Sequence, residues 1–194
     1  MTALNFQNTD DMMALAYGKF LDNGGCGYVL KPNYLIQSEL TKYNPLNAQE
    51  LDLDYPQILT ITIISAQFLS RPSKNSSDIP DPYVTVSIHG LPCDQQTQKT
   101  RVIENNGFDP IWNETFTFRI RYPQMTLVYF TVFDYDQFTS NTQLARFCLP
   151  LLMIQTGYRH VHLRSRKNLP THSTLFVHID LKSDTNQEML SAQL

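Results

Sequence analysis

Ile79-Pro80-Asp81-Pro82-Tyr83-Val84 and Asp134-Tyr135-Asp136 bracket a run of alternating apolar and polar residues, and their reading decides the fold. Carboxylates at the ends of two strands, brought together at one end of a β-sandwich, are what a hard cation such as Ca²⁺ requires. Asp-Pro is also a common turn opener, and an acidic strand end is often only solvated. Either segment alone is satisfied by that plainer reading; the pair, at this spacing, asks for more.

Between and around them the hydrophobic period is two. Eight stretches read as strands: Ile58–Ile64, Tyr83–His89, Gln98–Val102, Thr115–Ile120, Leu127–Phe133, Leu144–Leu149, Arg159–Leu163 and Leu175–Leu181. Eight short strands separated by turn signals predict an all-β, antiparallel sandwich. In Thr115–Ile120 the apolar set Phe116, Phe118, Ile120 alternates with polar neighbours, so one face is expected in the core. Leu127–Phe133 is apolar on both faces and is expected to be central. Three gaps, Phe68–Asp81, Glu104–Asn113 and Asp134–Asn141, fall at one end of such a sandwich and would make distant residues neighbours.

Asn105-Asn106-Gly107-Phe108-Asp109-Pro110-Ile111-Trp112-Asn113-Glu114 completes the pattern, and Leu59 to Leu181 resembles a C2 domain, an eight-stranded antiparallel β-sandwich. Upstream, Ala3-Leu4-Asn5-Phe6-Gln7 and the run from Gly18 to Pro32, with its Asn23-Gly24-Gly25 turn, resemble the end of the catalytic barrel of the phosphoinositide-specific phospholipases C. Barrel end followed by C2 domain is that family's C-terminal layout. The Gln155–Leu163 stretch is similar to its delta and zeta members. The resemblance implies a remnant of a (β/α)₈ barrel, its last strand and following segment, over residues 1–35. A polar linker would follow over 36–56, then the C2 domain over 57–182 and a flexible tail over 183–194. It also implies a fragment or a short product from an internal start.

The resemblance further implies a Ca²⁺ site in which Asp81, Asn105, Asp134 and Asp136 offer side chains and Ile79 its backbone carbonyl. Ca²⁺ takes about six to eight oxygens, so waters or lipid phosphate would complete the shell. Thr142, Ala145 and Arg146 depart from the family's third loop; a carboxylate missing at Thr142 weakens metal affinity. The implied partners are an anionic phospholipid surface and, for the whole enzyme, phosphatidylinositol 4,5-bisphosphate. The family's catalytic histidines and inositol-phosphate ligands precede Met1, so no catalytic residue is expected here. Two other readings remain open: a free Ca²⁺-dependent lipid-binding module, and a Ca²⁺-independent brace for the barrel, which the Thr142 departure favours.

Composition bounds these readings. The chain has 194 residues, 42% hydrophobic and 17% charged, as in an ordinary globular domain. No run approaches a membrane span and no signal-peptide layout opens the chain, so a cytoplasmic protein with peripheral membrane association is expected. A net charge of −3 argues against nucleic acid, and a monomer is expected. Cys26, Cys93 and Cys148 match neither a disulfide framework nor a zinc site and read as reduced, mostly packed thiols. Arg159, Arg164, Arg166, Lys167, Lys74, Lys99 and Arg101 could meet anionic headgroups or form a scattered solvated surface. His160 and His162 share a strand face, yet lack a third ligand for a metal.

Overall fold

The computed structural model describes residues 6–36, 56–70, 79–138 and 140–184. Eight antiparallel strands form it: β1 Gln57–Gln67, β2 Pro82–His89, β3 Gln96–Lys99, β4 Ile111–Ile120, β5 Leu127–Asp134, β6 Thr142–Pro150, β7 Gly157–Arg164 and β8 Pro170–Ser183, in the order β3-β2-β5-β6-β7-β8-β1-β4. Among the described residues β6 and β7 share a single register pair, Arg146 with Arg164. The sheet therefore folds there into two layers, β3-β2-β5-β6 and β7-β8-β1-β4.

Alternation sets the core between the layers. Val84, Val86 and Ile88 of β2 and Val128, Phe130 and Val132 of β5 meet Leu59, Ile61 and Ile63 of β1, Phe118 and Ile120 of β4, and Leu175 and Val177 of β8. Each such side chain contributes roughly 1.5–3 kcal/mol on burial. A register shift between Ile63 and Ser65 turns Ala66 inward and carries β1 past the Ile64 end that the sequence suggests. β3 ends earlier than Gln98–Val102 predicts, because the Arg101 amide turns away to the Glu114 carboxylate.

The two apolar faces of β5 have different partners. Val128, Phe130 and Val132 enter the core, whereas Leu127 and Tyr129 lie, with Cys148 of β6, under helix α1, Asp11–Phe20. The helix starts at Asp10, whose side chain accepts the Met13 amide at 3.0 Å. The sequence shows no clean apolar stripe here because the docking face is made of small residues, Ala14 and Gly18. A Cβ at Gly18 would lie 2.4 Å from Cys148 Sγ, so only glycine lets the helix come this close. Of the two outcomes expected for residues 1–35, disorder or docking, the described part docks. A short helix α2, Asn33–Ile36, follows.

Two expectations need correction. Cys26 and Cys93 are exposed, and only Cys148 is packed, its thiol pushed up to about 12 by burial. The sandwich also extends past residue 182: Ser183 ends β8, and Asp184 donates its amide to Pro56 O at 2.8 Å and accepts Arg119 Nε at 2.6 Å. Four expectations lie wholly or mostly outside the described residues: the barrel strand before Phe6, the linker over 36–56, Lys74, and the tail over 183–194 beyond its first two residues.

Candidate functional site

The β1–β2, β3–β4 and β5–β6 connections and the β7–β8 hairpin gather at one end of the sandwich. Backbone bonds fasten the first two together, with Phe68 N–H donating to Phe108 O and Leu69 N–H to Gly107 O, both at 2.9 Å. Phe68 has φ 54°, uncommon for an aromatic residue, and its carbonyl is fixed by Ser173 Oγ at 2.8 Å. Gly107 passes so close to Pro80 that a Cβ would lie 2.8 Å from the proline ring. Asn105 and Asn113 also occupy the left-handed region, which asparagine tolerates.

Within this frame the structure joins three of the five sequence-predicted residues. Pro82 and Asp134 are register partners. The Asp81 amide donates to Asp134 Oδ1 at 2.7 Å, the Asn105 amide donates to Asp81 Oδ1 at 2.6 Å, and Tyr135 N–H donates to Asp81 O at 3.0 Å. Asp81 and Asp134 thus hold all three connections in one network, Asn105 entering through its backbone. Asp136 stands exposed further along the third loop; its Oδ1 accepts Phe138 N–H at 2.8 Å. Its own amide donates to Asn141 Oδ1 at 3.0 Å, and Asn141 Nδ2 donates to Tyr83 OH at 2.9 Å. Ile79 is exposed at the described margin of the first loop.

The donor set is entirely oxygen, which fits a hard cation. Its arrangement is looser than the sequence implies: among the described residues no three His, Cys, Asp or Glu lie close enough together to hold a metal. Asp81 and Asp134 adjoin, and Asp136 does not close with them. Thr142 faces Asp134 in the β5–β6 register and supplies no carboxylate. Ala145 and Arg146 are withdrawn from the loop altogether. Arg146, 2% exposed, gives Nη1 to Asp10 O at 2.9 Å and Nη2 to Arg166 O at 2.6 Å, and meets Asp11 at 3.4 Å. This departure from the family is thus a tie between α1, β6 and the β7–β8 hairpin. Asp11 also accepts Tyr129 OH at 2.8 Å; burial first, and that carboxylate second, push the tyrosine up to about 12.

Three aromatic side chains escaped the sequence reading: Phe68, Phe108 and Phe138, 58%, 66% and 91% exposed at this same end. Phe68 and Phe108 pack edge to face at 5.1 Å beside a groove of about 1,170 Å³. Their signal in the sequence is an aromatic residue inside a turn-rich acidic loop, off the strand period. Arg166 and Lys167 are exposed in the neighbouring hairpin. Other cations are engaged: Arg101 with Glu114 at 2.8 Å, and Lys99 over the Tyr83 ring at 6.0 Å. His160 stacks on Phe176 at 4.8 Å.

The C2 domain family model matches residues 57–165, and that of the phosphatidylinositol-specific phospholipase C Y domain matches residues 1–34. The chain belongs to the C2 domain family. It carries the domain behind the end of a Y domain, as the C-terminal part of a phosphoinositide-specific phospholipase C of the delta or zeta kind. It is 44% identical over 191 residues to the 1-phosphatidylinositol 4,5-bisphosphate phosphodiesterase delta-4 of Xenopus laevis, covering 97% of this chain and 25% of that one. Identity to zeta-1 of Mus musculus is 45% over 182 residues, 92% of this chain and 27% of that relative. An inactive phospholipase C-like protein 1 of Rattus norvegicus is 39% identical over 182 residues, 92% of this chain and 16% of that one. The crystal structure of L. pealei PLC21 superposes with a TM-score of 0.80 at 32% identity, over 99% of this chain and 24% of that chain. The chain thus spans about a quarter of the length of the phosphodiesterases it matches. Proteins of these families in general bind Ca²⁺ and phospholipid.

Proposed function

We propose that this chain is the membrane-targeting portion of a phosphoinositide phospholipase C that hydrolyses phosphatidylinositol 4,5-bisphosphate to diacylglycerol and inositol 1,4,5-trisphosphate. In this reading Asp81, Asn105, Asp134 and Asp136, with the Ile79 carbonyl, hold Ca²⁺, and the loop end meets an anionic leaflet from the cytoplasmic side. The observation that carries it is the Asp81–Asp134 juxtaposition at the same end as the exposed Phe68, Phe108 and Phe138.

When bound, Ca²⁺ supplies positive charge and open coordination positions for lipid phosphate. The remaining steps belong to the protein. Asp81 and Asp134 concentrate negative charge that repels an anionic surface until it is neutralised. The three phenylalanines offer apolar area to the interface, and Arg166 and Lys167 add up to about 1 kcal/mol each near anionic headgroups. None of these residues attacks, protonates or binds the scissile phosphate, and similarity that extends to a relative named inactive agrees with catalysis residing elsewhere.

Two observations favour a second reading, a Ca²⁺-independent brace: Arg146 ties α1 to the sandwich, and Asp136 stands apart from the other two carboxylates. Sedimentation of the purified chain with phosphatidylserine vesicles across free Ca²⁺ separates the two. Binding that needs Ca²⁺ and is lost in an Asp134→Asn, Asp136→Asn double variant supports targeting. Binding indifferent to both assigns the domain to bracing.

A further inference from the structure

The two open edges of the sandwich are finished differently. Where β3 faces β4, Gln96 Nε2 donates to Arg119 O at 2.8 Å and Gln98 Nε2 to Thr117 O at 3.0 Å, so side chains bridge the layers. Where β6 faces β7, the strands part beyond the Arg146–Arg164 pair and leave a cavity of about 460 Å³. Interiors are normally close-packed, so a space of this size opening on the core invites an occupant. It is also within the usual range of small-molecule sites, about 300–1,000 Å³.

Its lining has two characters. The lining is mostly apolar, with Phe130, Phe147, Leu149, Leu163 and Ile179; Arg159 lies at one end of it, beside Ile154 and Gln155, and Arg164 at the other, roughly 16 Å along β7, with no acidic side chain in the lining. Arg159 Nη1 donates to Tyr158 O and Arg164 Nη1 to Asn168 O, both at 3.0 Å. Neither arginine meets a carboxylate among the described residues. The Arg159 guanidinium at the end of an apolar slot complements one ligand shape, an anionic oxygen headgroup joined to a hydrocarbon tail.

We propose that the β6–β7 cleft binds a single-chain anionic amphiphile, with its tail between the layers and its phosphate or carboxylate against Arg159. The site lies along the β6–β7 edge and uses none of the loop aspartates, so it operates without Ca²⁺ and stands whether or not the targeting reading does.

Calorimetric titration of the full chain with dodecyl phosphate, below its micelle threshold and with a chelator present, tests this. Dodecanoate distinguishes a phosphate from a carboxylate head, and inorganic phosphate and dodecyl maltoside supply head and tail separately. Saturable binding of dodecyl phosphate or dodecanoate, at least about tenfold tighter than either part alone, is expected; tenfold corresponds to about 1.4 kcal/mol. Arg159→Glu, at an exposed position, should weaken it about tenfold or more, and Ile154→Trp should block the mouth, whereas Asp134→Asn leaves it unchanged. If Ile154→Trp fails to fold by circular dichroism, Arg159→Glu decides. Absence of saturable binding, equal binding of the maltoside, or undiminished binding by Arg159→Glu overturns the proposal.

Discussion

Both ends of the sandwich use aspartate to hold backbone amides, and the two ends differ in where they leave the carboxylate. At the end away from the loops, Asp94 is 0% exposed, with Oδ1 on Arg121 N–H and Oδ2 on Tyr122 N–H, each at 2.8 Å. At the loop end Asp81 is half-buried, Asp134 is 9% exposed and Asp136 is exposed. The first arrangement is a bolt, since both oxygens of a 0% exposed carboxylate are taken up by backbone amides. The second grades from the buried Asp134 through Asp81 to Asp136, so that at its outer side a carboxylate stands where an ion or a headgroup can arrive. A count of acidic residues separates neither; burial and partners do.

The largest effect tests the bolt. Asp94→Ala removes the acceptor of two backbone amides, one of them buried, and should cost roughly 2–3 kcal/mol in chemical denaturation, whereas Asp136→Ala should stay within about 0.5 kcal/mol. Equal losses would break the comparison. Gly18→Val comes next, because a side chain there collides with Cys148. It should lower stability by roughly 1–3 kcal/mol and raise the reaction rate of the Cys148 thiol with a disulfide reagent. Unchanged Cys148 reactivity would mean that α1 does not cover β6 in solution.

Gly107→Ala sharpens the loop side. Parting Gly107 from Pro80 should weaken Ca²⁺-dependent vesicle binding more than it lowers the unfolding midpoint, and the reverse would make the glycine only a packing residue. The smallest effect is in pH. Burial lowers His89 from 6.5, with nearby Asp11 opposing in part. As pH falls through 6.5 the unfolded chain takes up this proton before the folded one does, so stability present above 6.5 is lost towards the folded value. Between about pH 7.5 and about pH 5.5 the parent should therefore lose more stability than His89→Gln.

The strands were legible because β4 and β2 obey period two over most of their length, and β5 announced its central place by lacking a polar face. The cover on its outer face was not legible. Ala14 and Gly18 make no hydrophobic stripe, and their partners Leu127, Tyr129 and Cys148 lie more than a hundred residues away. Asp81 and Asp134 could be paired from the motif, and the structure adds their shared bonds. Phe68, Phe108 and Phe138 could not be distinguished by type from core aromatics such as Phe116 and Phe118. Arg146 read as a gap in a loop pattern, yet its guanidinium is committed to a contact with α1 that no local spacing encodes.

The central claim is that the loop end is the face that meets the membrane. Phe138→Trp, compared with Tyr158→Trp on the outer face of β7, in vesicles containing brominated phosphatidylserine, tests it most directly. Quenching that rises with Ca²⁺ at position 138 and stays flat at position 158 is the predicted result. Equal quenching at both positions, or quenching at 138 that ignores Ca²⁺, would contradict the account.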